Sequence, residues 1–194
     1  MREHEVNRLN NFIMGWYAED TTFCDKLIDI FNKNKDRTVR GSVNKFGTVD
    51  TNFKDSTDLN INLDHFNDMY YAQHIHNHID AYLKRWDRAR CNGMYPAEGF
   101  NIQHYSPGGG FKAWHSEKES ADEPQIYRHL VFMTYLNTLE DGGTEFLYQD
   151  VRIKAEKGLT VIWPAEWMFA HKGQISNTSE KWVATGWMHL YKTK

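Results

Sequence analysis

The sequence has little cysteine and no long apolar run. Only Cys24 and Cys91 occur among 194 residues, which argues against a disulfide framework and against a cysteine-based zinc site. No apolar stretch approaches the roughly 18 residues that a membrane span needs. The charged first residues, 1–5, lack the apolar segment of a signal peptide. We therefore expect a soluble, cytoplasmic or otherwise intracellular protein with no membrane partner.

The chain also lacks a marked excess of charge of either sign. It has 23 Lys and Arg against 26 Asp and Glu, for a net charge of -3. Because nucleic-acid binding needs a basic face to neutralise phosphates, we expect no nucleic-acid partner. Hydrophobic residues make up 40% and aromatic residues 14%, enough for a packed core. The length predicts a single domain over 1–194 and leaves the oligomeric state open.

The sequence pattern changes near residue 95. Before it, residues 20–32 and 64–88 carry apolar side chains at helical spacing, with Phe66 among those of the second stretch. The polar residues 33–55 between them predict a long loop or a weak hairpin. Residues 1–95 are therefore predicted to form a helical N-terminal support region.

After residue 95 the pattern is typical of β-structure. Short apolar or alternating runs are separated by clusters of Gly, Pro, Asp and Asn. Eight strands are predicted, over 99–105, 111–118, 127–137, 144–148, 151–154, 159–163, 168–172 and 181–191. This spacing fits a sandwich or a jelly roll, and the order of elements predicts an α+β, mainly β layout with helices packed on one face of a sheet.

Ten histidines stand out in this composition, and His115 is the best metal-ligand candidate. On the predicted strand, His115 and Glu117 are two residues apart and so share a face. The pair His78 and Asp80 has the same spacing but lies in a helical stretch, where the two side chains point apart. About one such pair is expected by chance, so context decides between them.

Two downstream residues extend the candidate site. His171 closes another predicted strand, and two histidines with one carboxylate are a ligand set suited to non-haem Fe(II). Lys181 opens the last predicted strand, in a stretch rich in tryptophan. A cation directed into an apolar barrel needs an anionic partner, which a small dicarboxylate would supply.

The stretch from Tyr105 to Leu190 resembles the iron(II)- and 2-oxoglutarate-dependent dioxygenases, most closely their prolyl 4-hydroxylase-like branch. The ordered set of short motifs carries this resemblance. Its parts are Tyr105 with Gly108-Gly109, His115-Ser116-Glu117, Arg128 to Asn137, Gly142-Gly143-Thr144-Glu145-Phe146, Lys157-Gly158, and His171 followed by Lys181, Thr185 and Trp187. The resemblance implies a double-stranded β-helix (jelly roll) core over 96–194, with the N-terminal helices packed on the major sheet.

The resemblance also implies roles for individual residues. His115, Glu117 and His171 would be the catalytic iron ligands. Lys181 and Tyr105 would bind the distal carboxylate of 2-oxoglutarate. Thr185 and Trp187 would line the same cofactor-binding pocket. The implied cofactors are Fe(II), 2-oxoglutarate as co-substrate and O2, with ascorbate as a further candidate. Arg128 could contact substrate or pair with a neighbouring acid, and neither role is assigned to it.

The activity implied is hydroxylation of a C–H bond, by closest resemblance that of a prolyl residue in a peptide or protein. Two alternatives stay open: a hydroxylase of a free amino acid or small metabolite, and a non-catalytic cupin-like domain that binds a metal or ligand. The sequence departs from the branch at Glu117, where Asp is usual, and the extra methylene must be accommodated. The gap between Gly109 and His115 is one residue longer than usual, which leaves the match of Phe111 to a pocket aromatic open.

Overall fold

The computed structural model describes residues 1–42, 47–67 and 69–190. Within these ranges the regular structure is mainly β-strand, with α-helices in the N-terminal half. The helices are α1 (Thr22–Lys33), α2 (Leu63–Asn67) and α3 (Tyr70–Arg85). The strands are β1 (Arg2–Glu3), β2 (Met14–Tyr17), β3 (Val39–Arg40), β4 (Lys54–Asp55), β5 (Thr57–Ile61), β6 (Phe100–Tyr105), β7 (Gly110–Phe111), β8 (Arg128–Tyr135), β9 (Leu139–Phe146), β10 (Val151–Ala155), β11 (Leu159–Pro164), β12 (His171–Gln174) and β13 (Lys181–His189). No helix in these ranges is both long and apolar enough to cross a membrane.

Two antiparallel sheets form the architecture. The larger has eight strands in the order β1-β2-β11-β8-β13-β6-β5-β3, and the smaller has three in the order β10-β9-β12. A separate two-stranded pairing joins β4 to β7. Several neighbours are distant in sequence, as where β13 lies between β8 and β6. The arrangement is the double-stranded β-helix that the sequence predicts.

The helices α1 and α3 bury their apolar faces against the larger sheet. Along α1 the buried side chains Phe23, Leu27 and Phe31 recur every four residues and form one stripe. The helix begins where Asp20 accepts a hydrogen bond from the Thr22 N–H at 2.8 Å, which satisfies a donor that the first turn leaves free. Helices and sheet together enclose one apolar cluster.

Side chains along β13 alternate between two cores. Trp182 and Ala184 belong to the cluster under the helices, whereas Val183 and Trp187 belong to a second cluster between the sheets. Pairing with β8 and β6 fixes this register, since a slip of one residue would exchange the two faces. Lys181 shares the inward face with Val183 and Trp187, as the predicted alternation requires.

The prediction of a helical support region over residues 1–95 is incomplete. The first predicted helix is present as α1, and the second is divided into α2 and α3. In its described residues the same segment also contains five strands, four of which join the larger sheet. They are only two to five residues long, too short to show a clear alternating pattern. The Phe66 side chain and residues 43–46 of the predicted loop lie outside the described residues.

The predicted strand over 111–118 is wrong in most of its length. Only Gly110–Phe111 is a strand, and turns follow. The Ser116 N–H, which a strand would give to its neighbour, is bonded instead to the Glu119 side chain at 2.7 Å. The reasoning that His115 and Glu117 share one face of a strand therefore does not hold.

Two other predicted strands have different limits. The Gly-containing segment 140–143, predicted as a break, belongs to β9, and Gly143 pairs with β10 on one side and with β12 on the other. In the predicted strand 168–172, a 3-10 turn at Trp167–Phe169 precedes β12. The other five predicted strands agree with the structure within two residues at each described end. Tyr191, the last residue of the predicted final strand, lies outside the described residues.

Candidate active site

His115 and His171 lie side by side through backbone pairing. They form an isolated antiparallel bridge, in which His115 N–H donates to the His171 carbonyl at 3.0 Å and His171 N–H donates to the His115 carbonyl at 2.8 Å. The two imidazole centroids are 4.3 Å apart. Pairing between residues 56 positions apart thus brings two potential metal ligands to one point.

The two imidazoles turn their Nε2 atoms towards Glu117. His115 Nδ1 lies 3.2 Å from the Ala113 carbonyl, and His171 Nδ1 lies 2.9 Å from the Phe169 carbonyl. Because a carbonyl only accepts, each Nδ1 carries the proton and each Nε2 keeps a free lone pair. Glu117 Oε1 is 3.8 Å from His115 Nε2 and 3.5 Å from His171 Nε2.

Among the described residues, these three side chains form the group that could hold a metal ion. One ligand atom from each of His115, Glu117 and His171 lies within 4.8 Å of the others. The charges also suit a cation. Burial, assisted by His171, lowers the pKa of His115 to about 3, so this imidazole is neutral. Burial alone would raise the pKa of Glu117, but the neighbouring His171 and His115 and the Arg128 guanidinium outweigh it and hold that pKa well below its usual value.

Lys181 points into the cavity that these residues line. The cavity has a volume of about 580 Å³, within the range of small-molecule sites. The Lys181 side chain is 6% exposed, and its Nζ donates to the Gly143 carbonyl at 2.6 Å. Within the described chain no carboxylate pairs with this ammonium, and burial lowers its pKa to about 8. The cavity therefore offers a cation that lacks an anionic partner.

The other predicted pocket residues also line this cavity, but their polar atoms have partners in the protein. The Tyr105 hydroxyl donates to Gln103 Oε1 at 2.8 Å, and Lys181 Nζ lies 5.9 Å from the centre of the Tyr105 ring. The Thr185 hydroxyl donates to the Phe132 carbonyl at 3.2 Å. Trp187 donates its indole N–H to Glu117 Oε2 at 2.9 Å, so it contacts the candidate metal carboxylate.

The structure places the charged group of Arg128 beside Glu117. Arg128 Nη1 lies 3.3 Å from Glu117 Oε2, and the guanidinium also bonds both carboxylate oxygens of Glu98 at 2.8 Å. His189 Nε2 donates to Glu98 at 2.8 Å. Arg128 therefore pairs with neighbouring acids, one of the two roles open to it from the sequence, but nothing in the spacing of the sequence indicates Glu98 as a partner.

Two further features lie next to His115. The ring of Phe111 stacks on the His115 imidazole, with centroids 3.4 Å apart and planes 8° from parallel, so Phe111 is a pocket aromatic. Lys54 and Asp58, from the N-terminal half, form a buried ion pair at 2.6 Å in the cavity wall. The segment described as a helical support therefore also supplies part of the site.

Comparisons with known proteins agree with this geometry. Residues 100–189 match the family model described as the 2OG-Fe(II) oxygenase superfamily. No curated protein sequence matches the chain at a significant level.

Three solved structures share the fold at low sequence identity. A viral collagen prolyl hydroxylase from Paramecium bursaria Chlorella virus-1, in complex with 2-oxoglutarate, has a TM-score of 0.70 and 17% identity over 94% of this chain and 98% of its own. A prolyl 4-hydroxylase of Pseudomonas putida has a TM-score of 0.69 and 14% identity over 95% and 97%. A Trichoplax adhaerens prolyl hydroxylase, in complex with a hypoxia-inducible-factor peptide fragment, has a TM-score of 0.70 and 14% identity over 95% and 86%. The family match covers residues 100–189, which contain the candidate metal ligands, and together with the shared fold it supports a dioxygenase that uses Fe(II), 2-oxoglutarate and O2.

Proposed function

We propose that this dioxygenase hydroxylates a prolyl residue in a peptide or protein, with His115, Glu117 and His171 as its iron ligands and Lys181 as the partner of the 2-oxoglutarate distal carboxylate. The observation that carries the proposal is the convergence of these three ligand side chains and an unpaired buried ammonium on one cavity. The prolyl substrate is supported by the similarity to three prolyl hydroxylases, one of them in complex with a peptide.

The bound iron and 2-oxoglutarate supply the oxidising chemistry: 2-oxoglutarate and O2 give succinate and CO2, and one oxygen atom converts the substrate C–H to C–OH. The protein's part is binding and orientation. His115 and His171 keep their Nε2 lone pairs available because their Nδ1 protons are held by backbone carbonyls. Lys181 holds a positive charge at a fixed position in the cavity, and the low polarity of its surroundings strengthens its attraction for a carboxylate.

The surroundings of Lys181 also separate this proposal from a non-catalytic cupin-like domain. Such a domain predicts a filled pocket or a solvated lysine. Lys181 is instead 6% exposed and lies on the wall of an open cavity of about 580 Å³. An unpaired ammonium in that position destabilises the free protein, and an anionic co-substrate offsets the cost.

An anaerobic titration tests the iron site. Fe(II) and 2-oxoglutarate added to the wild type should produce a weak visible charge-transfer band, and admission of air should then yield succinate. His171→Ala should lose the band. The matched control His76→Ala, on the exposed face of α3, should keep it. A band of undiminished strength in His171→Ala would remove this residue from the iron site.

A second experiment tests the substrate class. The enzyme is incubated with a proline-rich peptide, the same peptide with every proline replaced by alanine, and free L-proline, and products are followed by mass spectrometry. A gain of one oxygen atom in the proline-rich peptide alone is expected. Oxygen incorporation into free proline alone would instead favour the small-metabolite alternative.

A further inference from the structure

The two oxygens of the Glu117 carboxylate lie in different surroundings. Oε1 faces the two imidazoles, 3.5 Å from His171 Nε2 and 3.8 Å from His115 Nε2. Oε2 faces away from them and accepts hydrogen bonds from the Trp187 indole at 2.9 Å and from Arg128 at 3.3 Å. The side chain that carries the extra methylene is therefore fixed at its far end.

The donors that hold Oε2 are themselves fixed. The Arg128 guanidinium lies over the Trp187 ring, 3.5 Å from its centre, so the two donors support each other. Glu98 bonds the guanidinium through both carboxylate oxygens, and His189 bonds Glu98 in turn. Arg128 begins β8 and is paired in register with His189 at the end of β13. Two adjacent strands thus determine where the donors lie.

We propose that Trp187 and Arg128, braced by Glu98, are positioning residues that aim Glu117 Oε1 at the metal and keep Oε2 away from it. The inference rests on the proposed function, since it takes Glu117 as an iron ligand. A glutamate has one more rotatable bond than an aspartate, so without such donors its carboxylate could turn and offer both oxygens to the metal. Holding Oε2 leaves the remaining metal positions free for 2-oxoglutarate and O2.

Binding of Mn(II), a redox-stable substitute for Fe(II), tests this inference without turnover. Trp187→Phe keeps the ring under the guanidinium but removes the N–H, and Arg128→Gln removes the charge. Loss of a group that orients a metal ligand commonly weakens metal binding about 10- to 100-fold. We therefore expect the Mn(II) Kd, measured by EPR titration of the metal-free protein, to rise about tenfold or more in each variant.

The matched control is Trp182→Phe. Trp182 lies on the same strand but on the opposite face, where its indole N–H contacts the Glu180 carboxylate, so its loss should leave the Mn(II) Kd unchanged. A double-mutant comparison distinguishes positioning from general support of the fold. In a Glu117→Asp background the shorter side chain does not reach the indole, and Trp187→Phe should then change the Kd less than twofold.

Each outcome has a defined meaning. Two outcomes would overturn the positioning role and leave the metal site intact. One is an equal effect of Trp187→Phe on the Mn(II) Kd in both backgrounds. The other is wild-type Mn(II) affinity in both Trp187→Phe and Arg128→Gln while His171→Ala abolishes binding. Absence of Mn(II) binding in the wild type overturns the metal site and this inference with it. Should Arg128→Gln fail to fold because Glu98 loses its partner, Trp187→Phe alone decides.

Discussion

Replacing Lys181 with methionine should change how the stability of the ligand-free protein depends on pH. Burial lowers the Lys181 pKa from 10.5 to about 8. Since one pKa unit corresponds to about 1.4 kcal/mol, the protonated side chain costs the folded state about 3 kcal/mol at neutral pH. The cost is fully present below pH 8. The cost decreases between pH 8 and 10.5, because the folded protein loses the proton near pH 8 and the unfolded chain loses it only near pH 10.5.

Urea unfolding of the wild type and of Lys181→Met, in a metal-free buffer without 2-oxoglutarate, measures this effect. From pH 7 to pH 10, the difference in the free energy of unfolding should move in favour of the wild type by about 2 to 3 kcal/mol. The lost hydrogen bond from Nζ to the Gly143 carbonyl is absent from the variant at every pH, so it alters the offset and not the trend. Lys84→Met, on the exposed face of α3, is the control and should show no trend.

If the difference in the free energy of unfolding between wild type and Lys181→Met stayed constant across this pH range, the reasoning would be refuted. Such a result would mean that the Lys181 ammonium is solvated in the free protein. The same measurement with saturating 2-oxoglutarate should abolish the wild-type cost, since a paired ammonium keeps its proton to higher pH.

Three further outcomes follow from the cavity. The wild-type Kd for 2-oxoglutarate should rise above pH 8, by up to tenfold per pH unit, as Lys181 loses its proton, whereas Lys181→Arg should show a flat profile in isothermal titration calorimetry. Tyr105→Phe should raise the 2-oxoglutarate KM less than about tenfold, against about 100-fold for Lys181→Ala, in a succinate assay; an unchanged KM would mean that the hydroxyl serves Gln103 alone. Gly143→Ala should lower the free energy of unfolding by about 2 kcal/mol or more, because Gly143 has a φ of 144° and an added Cβ would overlap the Ile153 carbonyl oxygen and the Gln174 side chain. Gly108→Ala, at φ 80° with open space around it, is the control and should cost about 1 kcal/mol in the same unfolding assay.

The metal-ligand candidates could be predicted from the sequence for two different reasons. His115 and Glu117 are only two residues apart, so their side chains can meet in a turn as well as on a strand. The wrong strand assignment therefore did not affect the prediction that the two side chains converge. His171 has no local signal that separates it from the other histidines. It was identified because the motifs occur in a family-like order, and so was Lys181. The inward face shared by Lys181, Thr185 and Trp187 follows from strand alternation alone.

The groups around Glu117 could not be predicted in this way, because they depend on sheet register. Arg128 meets Glu98 across 30 residues of chain, and it lies near His189 only because β8 and β13 pair in one register. Shifting that pairing by one residue would leave the sequence pattern intact and turn Arg128 to the opposite face. A charge whose partner lies in another segment has no signature in the spacing of a single sequence.

The same dependence on register makes the N-terminal half part of the site. Pairing of β5 with β6 places Asp58 opposite Gln103, and pairing of β4 with β7 places Lys54 opposite Phe111. Both charged residues face the cavity that holds the metal-ligand candidates, and their ion pair closes one wall of it. A chain reduced to residues 96–194 would lose that wall together with the strands that cover the edges of β6 and β11. The strands missed in the first 95 residues are therefore what completes the pocket around His115.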